Sequence, residues 1–569
     1  MFRSLAVLSL ALSAAVVAPP APAWGSGAEA PNGKPQKLTA HRGVHAAPRS
    51  PLPAATPLAD ATAGLAKPYG GAPIDVTSYH YDNGRTGWNQ NETDLTPASV
   101  ASANFGLLKT LRVDGNVFPQ PLLVSNFVMP DTSTHDVLIV ATGHNTVYTY
   151  DARTYAVLWQ VNLGPPQSTN DVGCGDVQPE YGISSTPVIV RAAANAATIF
   201  LVAATEPAPF HFHTKLHALS LATGQDIVAP VEISPSATLS DGSTLRFDPQ
   251  NQWSRASLAY SNGSIYIGIS SHCDNNAGAI SGWLLRYDTN LILRHAFHTI
   301  HTPHGYELAS IWMTGFAPAI DPAGNVFVVT GNGDFTGNGA HDYGESVLKL
   351  PETLASVIGK FTPADYQSLN NGDTDFGSGG VMLLPGVAGQ TAPPLAVAMG
   401  KDAVLYLLDQ TRLGGLRPND SGALQALRLG GSGQGLWGGP AYYAGPAGPT
   451  VYAQINGDVL RSFRVSTGAV PALTPAAQGT TFAGYGGSLP IVSSNGAAAD
   501  TGVVWLVRRS LPVELEAYDA AALGTPIFVA NAGRWSNTDN QNPFVTPMVA
   551  NGRVYAPAYK TVKVFGLTP

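Results

Sequence analysis

The chain has 569 residues, 44% of them apolar and only 12% charged, enough apolar material for a large core and more than one compact domain usually holds. Its 61 Gly and 45 Pro suit many short strands joined by turns, and they exclude long solvated helices and coiled coils. Thirty basic residues against 38 acidic ones give a net charge of −8 without clustered Lys and Arg, which excludes a nucleic-acid footprint.

Residues 1–23 read as a secretory signal peptide. Arg3 supplies the positive start, Leu5 to Val17 a short apolar run, and Ala21-Pro22-Ala23 small residues at the cleavage positions. The run is too short to span a bilayer and no second one follows, so a secreted or periplasmic protein without a membrane span is expected. Residues 24–73 are rich in Ala, Pro and Gly without periodicity and read as a disordered linker. Residues 74–569 then form the folded part, with 74–104 expected across its rim.

From Val147 onward one short pattern recurs: apolar, any, any, apolar, often followed by Asp. It appears at Val147–Tyr150, Leu216–Leu219, Leu284–Tyr287, Val347–Leu350, Leu405–Leu408, Leu460–Phe463, Leu515–Tyr518 and Val562–Phe565. Those eight copies stand 47 to 69 residues apart. Each is preceded by a Gly/Ser/Thr/Pro-rich start to a β-branched or aromatic run, such as Ser185-Thr186-Pro187-Val188 or Thr546-Pro547-Met548, and by a second apolar run such as Val326–Val329. Each is followed by a turn, as at Thr223-Gly224, and a further short strand. Four strands per unit and eight units predict an all-β, eight-bladed β-propeller of antiparallel blades. The eighth copy ends four residues from the C-terminus, leaving no room for a fourth strand. Residues 105–111 (Phe105–Leu111) supply one, and their pairing with 562–565 is expected to close the ring.

The propeller frame orients the loops. Those joining one blade to the next, and those joining the second strand of a blade to its third, emerge on one face. Cys174 and Cys273 both fall on that face, in adjacent blades. In an oxidising compartment the pair is expected to form a disulfide; the competing reading is a catalytic thiol, for which no His stands at a telling spacing. Gln120, Glu180, Gln252, Arg255, Glu307, Asp373, Asp375 and Asn542 fall on the same face. Together with Lys401, Trp437 and Tyr485 they would line a pocket for a small polar molecule, a sugar or a glycan. Alternatively, Asp373 and Asp375 merely form turns within Asn371–Gly377. His295, His298, His301 and His304 recur at intervals of three, which on a strand alternates faces and does not assemble a metal site.

The repeat, with Tyr-Asp, a Thr-Gly-like turn and then a Trp such as Trp159, resembles the quinoprotein (PQQ-repeat) propellers. Tyr81–Gly87, Gly182–Pro187, Ser271–Asp274 and Asp342–Val347 resemble a secreted PQQ-binding-like subfamily, and the resemblance runs from about Tyr79 to Leu567. It implies PQQ on the propeller axis beside Ca²⁺, with a carboxylate as base and hydride passing to the quinone. On that resemblance Lys401 would contact the quinone, Trp312 would stack on it, and Cys174 would stand at the position of the family's adjacent cysteines. Glu206, Asn332 and Asp342 would hold the metal, with Asp342 also the catalytic base. Two departures stand out: one Cys where the family has two in a row, and Glu180 where an Arg is expected.

These features support an exported quinoprotein-type oxidoreductase acting on an alcohol or sugar, a monomer. The sequence contains no Cys-x-x-Cys-His haem attachment, so electrons would leave to a separate acceptor protein. The competing readings are a noncatalytic scaffold binding a protein or envelope glycan, and a polysaccharide lyase or hydrolase.

Overall fold

The computed structural model describes residues 67–568 apart from 276, 304–307, 337–340, 510–511 and 536–543. The signal peptide, most of the 24–73 linker, His304, Glu307 and Asn542 lie outside the described residues.

Eight sheets follow one another along the chain, as the repeat predicts. Blade 1 is Leu122–Val128, Thr134–Ala141, Thr146–Asp151 and Val157–Asn162, paired in that order. Blades 2 to 7 begin at Val188, Ala259, Ala319, Val381, Ala441 and Ile491 and repeat the antiparallel meander. Their second and third strands are apolar on both faces because each sheet is covered by its neighbours. Ser264–Ser271, Val326–Val329 and Leu395–Ala398 are buried at every position. Sheet-on-sheet contact in turn buries Trp283 and Trp505 completely, about 1.5–3 kcal/mol for each such side chain.

Blade 8 joins the two ends of the described chain. Phe105–Asn116 pairs antiparallel with Arg553–Leu567, placing Leu111 opposite Val562 and Leu107 opposite Phe565. Arg553–Leu567 also pairs with Met548–Ala550. It doubles back at Lys560, whose φ is 58°.

Residues 76–89 do not lie across the rim. From Val76 to Asn89 the chain hydrogen-bonds the first strand of every blade. Val76 exchanges backbone bonds with Leu123 of blade 1, and Thr77 accepts from Ile189 N–H of blade 2 at 2.8 Å. Asn83 donates from Nδ2 to the Tyr260 carbonyl of blade 3 and accepts from Ile320 N–H of blade 4. Gly84, Thr86 and Gly87 accept from Leu383, Tyr442 and Val492 of blades 5, 6 and 7. Tyr81 and Asn89 both reach the Val549 carbonyl of blade 8. Fourteen residues can touch eight sheets only where those sheets converge, so the first strands are innermost and this segment fills the axis. The reason is local: an innermost strand has no neighbour on its inner side, and buried N–H groups there need acceptors.

Aromatic rings complete this floor. Tyr79 and His80 stack at 4.3 Å, and both meet Phe316 edge-on at 5.3 and 5.0 Å. Gly439 allows the approach, since a Cβ there would lie 2.1 Å from the Phe316 ring. No helix among the described residues is long and apolar enough to cross a membrane.

Candidate functional site

The loops of one face converge on an acidic cluster around Lys401. Lys401 stands between the second and third strands of blade 5. Gly400 lets its turn sit against the preceding loop, where a Cβ would lie 2.4 Å from the Phe376 carbonyl. The Lys401 side chain is 15% exposed, and its Nζ lies 2.5 Å from Asp375 Oδ2 and 3.6 Å from Asp373 Oδ1. Burial works against its charge, yet Asp375 and Asp373 outweigh that and hold Lys401 above the usual lysine range.

Asn332 reaches the same carboxylates from blade 4. Its Nδ2 donates to Asp373 Oδ1 at 2.9 Å and its backbone N–H to Asp375 Oδ1 at 3.1 Å. Asn332 is 4% exposed, and its Oδ1 has no hydrogen-bond partner. A buried amide oxygen left without a donor is costly in an apo fold and is what a cation would satisfy.

Asp274, from blade 3, completes the group: one carboxylate oxygen from each of Asp274, Asp373 and Asp375 lies within 4.8 Å of the others. Burial, then repulsion from Asp375, pushes Asp274 up to about 7. Burial also raises Asp176, which feels Lys401, Asp373 and Asp375. Behind Asp375, Glu345 accepts the Phe376 N–H at 2.7 Å; burial and then Asp375 hold it well above the carboxylate range. Acids thus outnumber the single lysine, a distribution that attracts cations.

An aromatic wall faces the cluster. Lys401 Nζ lies 5.8 Å from the Trp437 ring centroid. Trp437 in turn meets Tyr485 at 5.0 Å and Phe544 at 6.0 Å. Arg509 sits over both Tyr485 and Phe544 at 5.7 Å. Tyr485 is 38% exposed and opens this wall to solvent.

Cys174 and Cys273 form a disulfide with Cα atoms 5.6 Å apart, which removes the thiol reading. The bridge rests on an aromatic group. Trp253 meets Tyr181 at 4.9 Å, His272 at 5.0 Å and Trp312 at 5.9 Å. Trp312 therefore belongs with the disulfide and Trp253.

Asp342 does not join the cluster as the sequence suggested. Its Oδ1 accepts from His301 N–H at 2.7 Å and Thr302 N–H at 3.0 Å. Its Oδ2 accepts from the Thr302 and Thr336 hydroxyls. With both oxygens doubly engaged the carboxylate is saturated. Although burial opposes it, these bonds hold Asp342 below the usual carboxylate range, the wrong direction for a base. Asp342 braces its loop.

Glu206 also stands apart: it accepts from Ser168 N–H and Phe210 N–H, both at 2.8 Å, and neighbours Asp171. Gln120 holds His80, Gln252 holds Ser281 and Asp248, and Glu180 pairs with His144 at 3.0 Å. Arg255 is buried against the Ser184 and Phe544 carbonyls, each 3.2 Å away. His298 and His301 do meet, with ring centroids 4.2 Å apart, against the alternation expected of a strand. The strand ends at His298, and the turn that follows brings its Nδ1–H to the Ile300 carbonyl.

Sequence reading thus found Asn332, Lys401 and the Asp373–Asp375 pair, and missed Asp176 and Asp274. The signal was present: each follows closely on a bridged cysteine, and both feel Asp373, Asp375 and Lys401.

The fold and face define an eight-bladed β-propeller with an acidic, lysine-centred mouth. More particularly, the fold is that of the quinoprotein-like propellers. The chain is similar to quinohemoprotein alcohol dehydrogenase from Comamonas testosteroni, with TM-score 0.57, 14% identity, and 86% of this chain and 80% of that one covered. A europium-containing methanol dehydrogenase gives TM-score 0.53 at 12% identity, covering 87% of this chain and 98% of that one. A quinohemoprotein alcohol dehydrogenase from Pseudomonas putida gives 0.52 at 12% identity, over 87% and 80%. No protein-family profile and no curated protein sequence matches the chain.

Proposed function

We propose that this protein is an exported quinoprotein-type oxidoreductase that oxidises an alcohol or sugar at the acidic mouth. The observation that carries the reading is the meeting of Asn332, Asp373, Asp375 and Lys401, from three separate loops, around the partnerless Asn332 Oδ1. Support also comes from the fold shared with two alcohol dehydrogenases and a methanol dehydrogenase.

The residues fit the implied groups. Carboxylates and an amide oxygen suit a hard cation such as Ca²⁺. Lys401 and Arg509, beside Trp437 and Tyr485, suit the carboxylates and flat rings of PQQ. When bound, the quinone supplies a two-electron acceptor and the cation polarises a substrate oxygen. The chain's own groups do the rest. Asp375 is fixed from both sides, by Lys401 and by the Asn332 N–H, and positions the lysine. Asp373 is held at Oδ1 by Asn332, and its side chain is 69% exposed. Open to solvent and held in place by Asn332, Asp373 takes up the hydroxyl proton of the substrate. Trp437 and Tyr485 orient a sugar or alcohol chain against it. Electrons leave to a separate acceptor protein. The Cys174–Cys273 bridge accords with a secreted or periplasmic site of action.

The test is dye-linked oxidation of an alcohol and sugar panel by the purified protein supplied with PQQ and Ca²⁺. Asp373→Asn is expected to lower kcat by about 100-fold or more, the scale of a lost general base. Absence of both oxidation and PQQ binding removes the reading.

A further inference from the structure

The resemblance assigns metal carboxylates to Glu206 and Asp342, but the Glu206 side chain is tied to Ser168 and Phe210 beside Asp171. The acid that does meet Asp373 and Asp375 is Asp274, from a different blade. Its neighbour in sequence is the disulfide-bonded Cys273.

We infer that Asp274 is a ligand of a hard di- or trivalent cation in the mouth, and that the Cys174–Cys273 bridge holds it there. The inference rests on the cation site of the proposed function and deepens it. Four observations carry it. First, Asp274 lies within 4.8 Å of both other carboxylates, oxygen to oxygen. Second, Asn332, 4% exposed, donates from Nδ2 to Asp373, and the Oδ1 of the same amide is buried without a hydrogen-bond partner among the described residues. Third, Cys273 and Asp274 are consecutive non-glycine residues with φ 49°, a left-handed conformation that such residues keep only where their surroundings impose it. Fourth, those surroundings are visible. The bridge ties Cys273 to Cys174, Ser271 Oγ donates to Asp274 Oδ1 at 2.5 Å, and Asn275 Nδ2 donates to the Gly173 carbonyl at 3.3 Å. The bridge also lies at the cluster's edge, with the two sulfurs and an Asp176 oxygen within 4.8 Å of one another.

The two parts of the inference are linked by reciprocity. If the bridge orders Asp274 for the cation, the cation must in turn stabilise the bridged loop by the same factor. Bound cation therefore protects Cys174–Cys273 from a dithiol reductant, which would convert the disulfide to two thiols and itself close to a cyclic disulfide.

Terbium is the probe, followed by luminescence excited through nearby tryptophan such as Trp437, on the full chain without quinone. Wild-type protein is expected to bind it, Asp274→Asn to weaken binding at least tenfold, and Glu206→Gln to change it less than twofold. In a second measurement, saturating terbium is expected to raise at least threefold the ratio of reduced to oxidised dithiothreitol at which half of the bridge is reduced at equilibrium, in the wild type and not in Asp274→Asn. No terbium binding by the wild type overturns the cation site of the proposed function as well. Binding that Asp274→Asn leaves intact, or that Glu206→Gln weakens as much, overturns the ligand assignment alone. An equal half-reduction ratio with and without terbium overturns the coupling to the bridge.

Discussion

The axis buries a cation and the mouth buries another, and they are neutralised in opposite ways. Arg85, in the axial segment, is fully buried and surrounded by carbonyl oxygens. Its Nε donates to Pro318, and its Nη1 to Tyr79 and Asp82, at 2.9 to 3.1 Å. Burial pulls its pKa down to about 10, partly offset by Asp82, so it stays charged at neutral pH. Lys401 instead sits among carboxylates that outnumber it. Arg85 has Nε and Nη1 satisfied within the fold, and only its Nη2 lacks a partner among the described residues. The acids around Lys401 lack matching positive charge, and such imbalance is typical of functional sites.

The sharpest way to break this comparison is at the axis. Arg85→Met strips the buried Pro318 and Tyr79 carbonyls of their side-chain donor, and each unsatisfied acceptor costs about 1–3 kcal/mol. A loss of about 3 kcal/mol or more in unfolding free energy is expected from urea denaturation. An unchanged midpoint would mean that the segment is not a structural element.

A smaller effect is expected at the mouth, and it depends on pH. Asp402 is buried beside Lys401, and burial pushes its pKa up to about 7. Between about pH 4 and 7 the folded protein therefore holds a proton that the unfolded chain releases, so stability falls as pH rises through that window and is flat above it. Asp402→Asn is expected to flatten this slope in thermal melts recorded from pH 4 to 8. A slope that survives in the variant would assign it to other acids.

The smallest effect belongs to the rim of the mouth. The hydrogen bond from His144 to Glu180 raises the histidine pKa, but the His144 side chain is 37% exposed. Its contribution is present below about pH 6.5 and fades as pH rises through the raised value. His144→Gln is expected to cost less than about 1 kcal/mol at pH 6, as exposed pairs do, and nothing at pH 9. A loss that persists at pH 9 would show packing, not charge, at that position.

The two regions also differ in how far the sequence revealed them. The blades were legible because a strand buried on both faces must be apolar along its length, as in Val326–Val329, and the pattern recurs. Asn332 and Lys401 were legible through local motifs. The axial role of Val76–Asn89 was not, because Thr77, Gly84 and Gly87 act through backbone carbonyls, which every residue carries. Asp342 and Asp375 could not be told apart by type. What separates them is how many donors reach each carboxylate, a property of loops distant in sequence. Asp373 and Asp375 could be read as a turn because their partners, Asn332 and Lys401, come from other blades.

The pairing of Phe105–Asn116 with Arg553–Leu567 has a consequence for biogenesis. One strand is synthesised near the start of the described chain and its partner near the end. The early strand must wait, unpaired, through the making of seven blades. Ribosome stalling or proteolytic clipping before residue 553 would leave that β-edge bare and prone to capture by another chain. Quality control of this protein therefore depends on shielding one short segment until synthesis is complete.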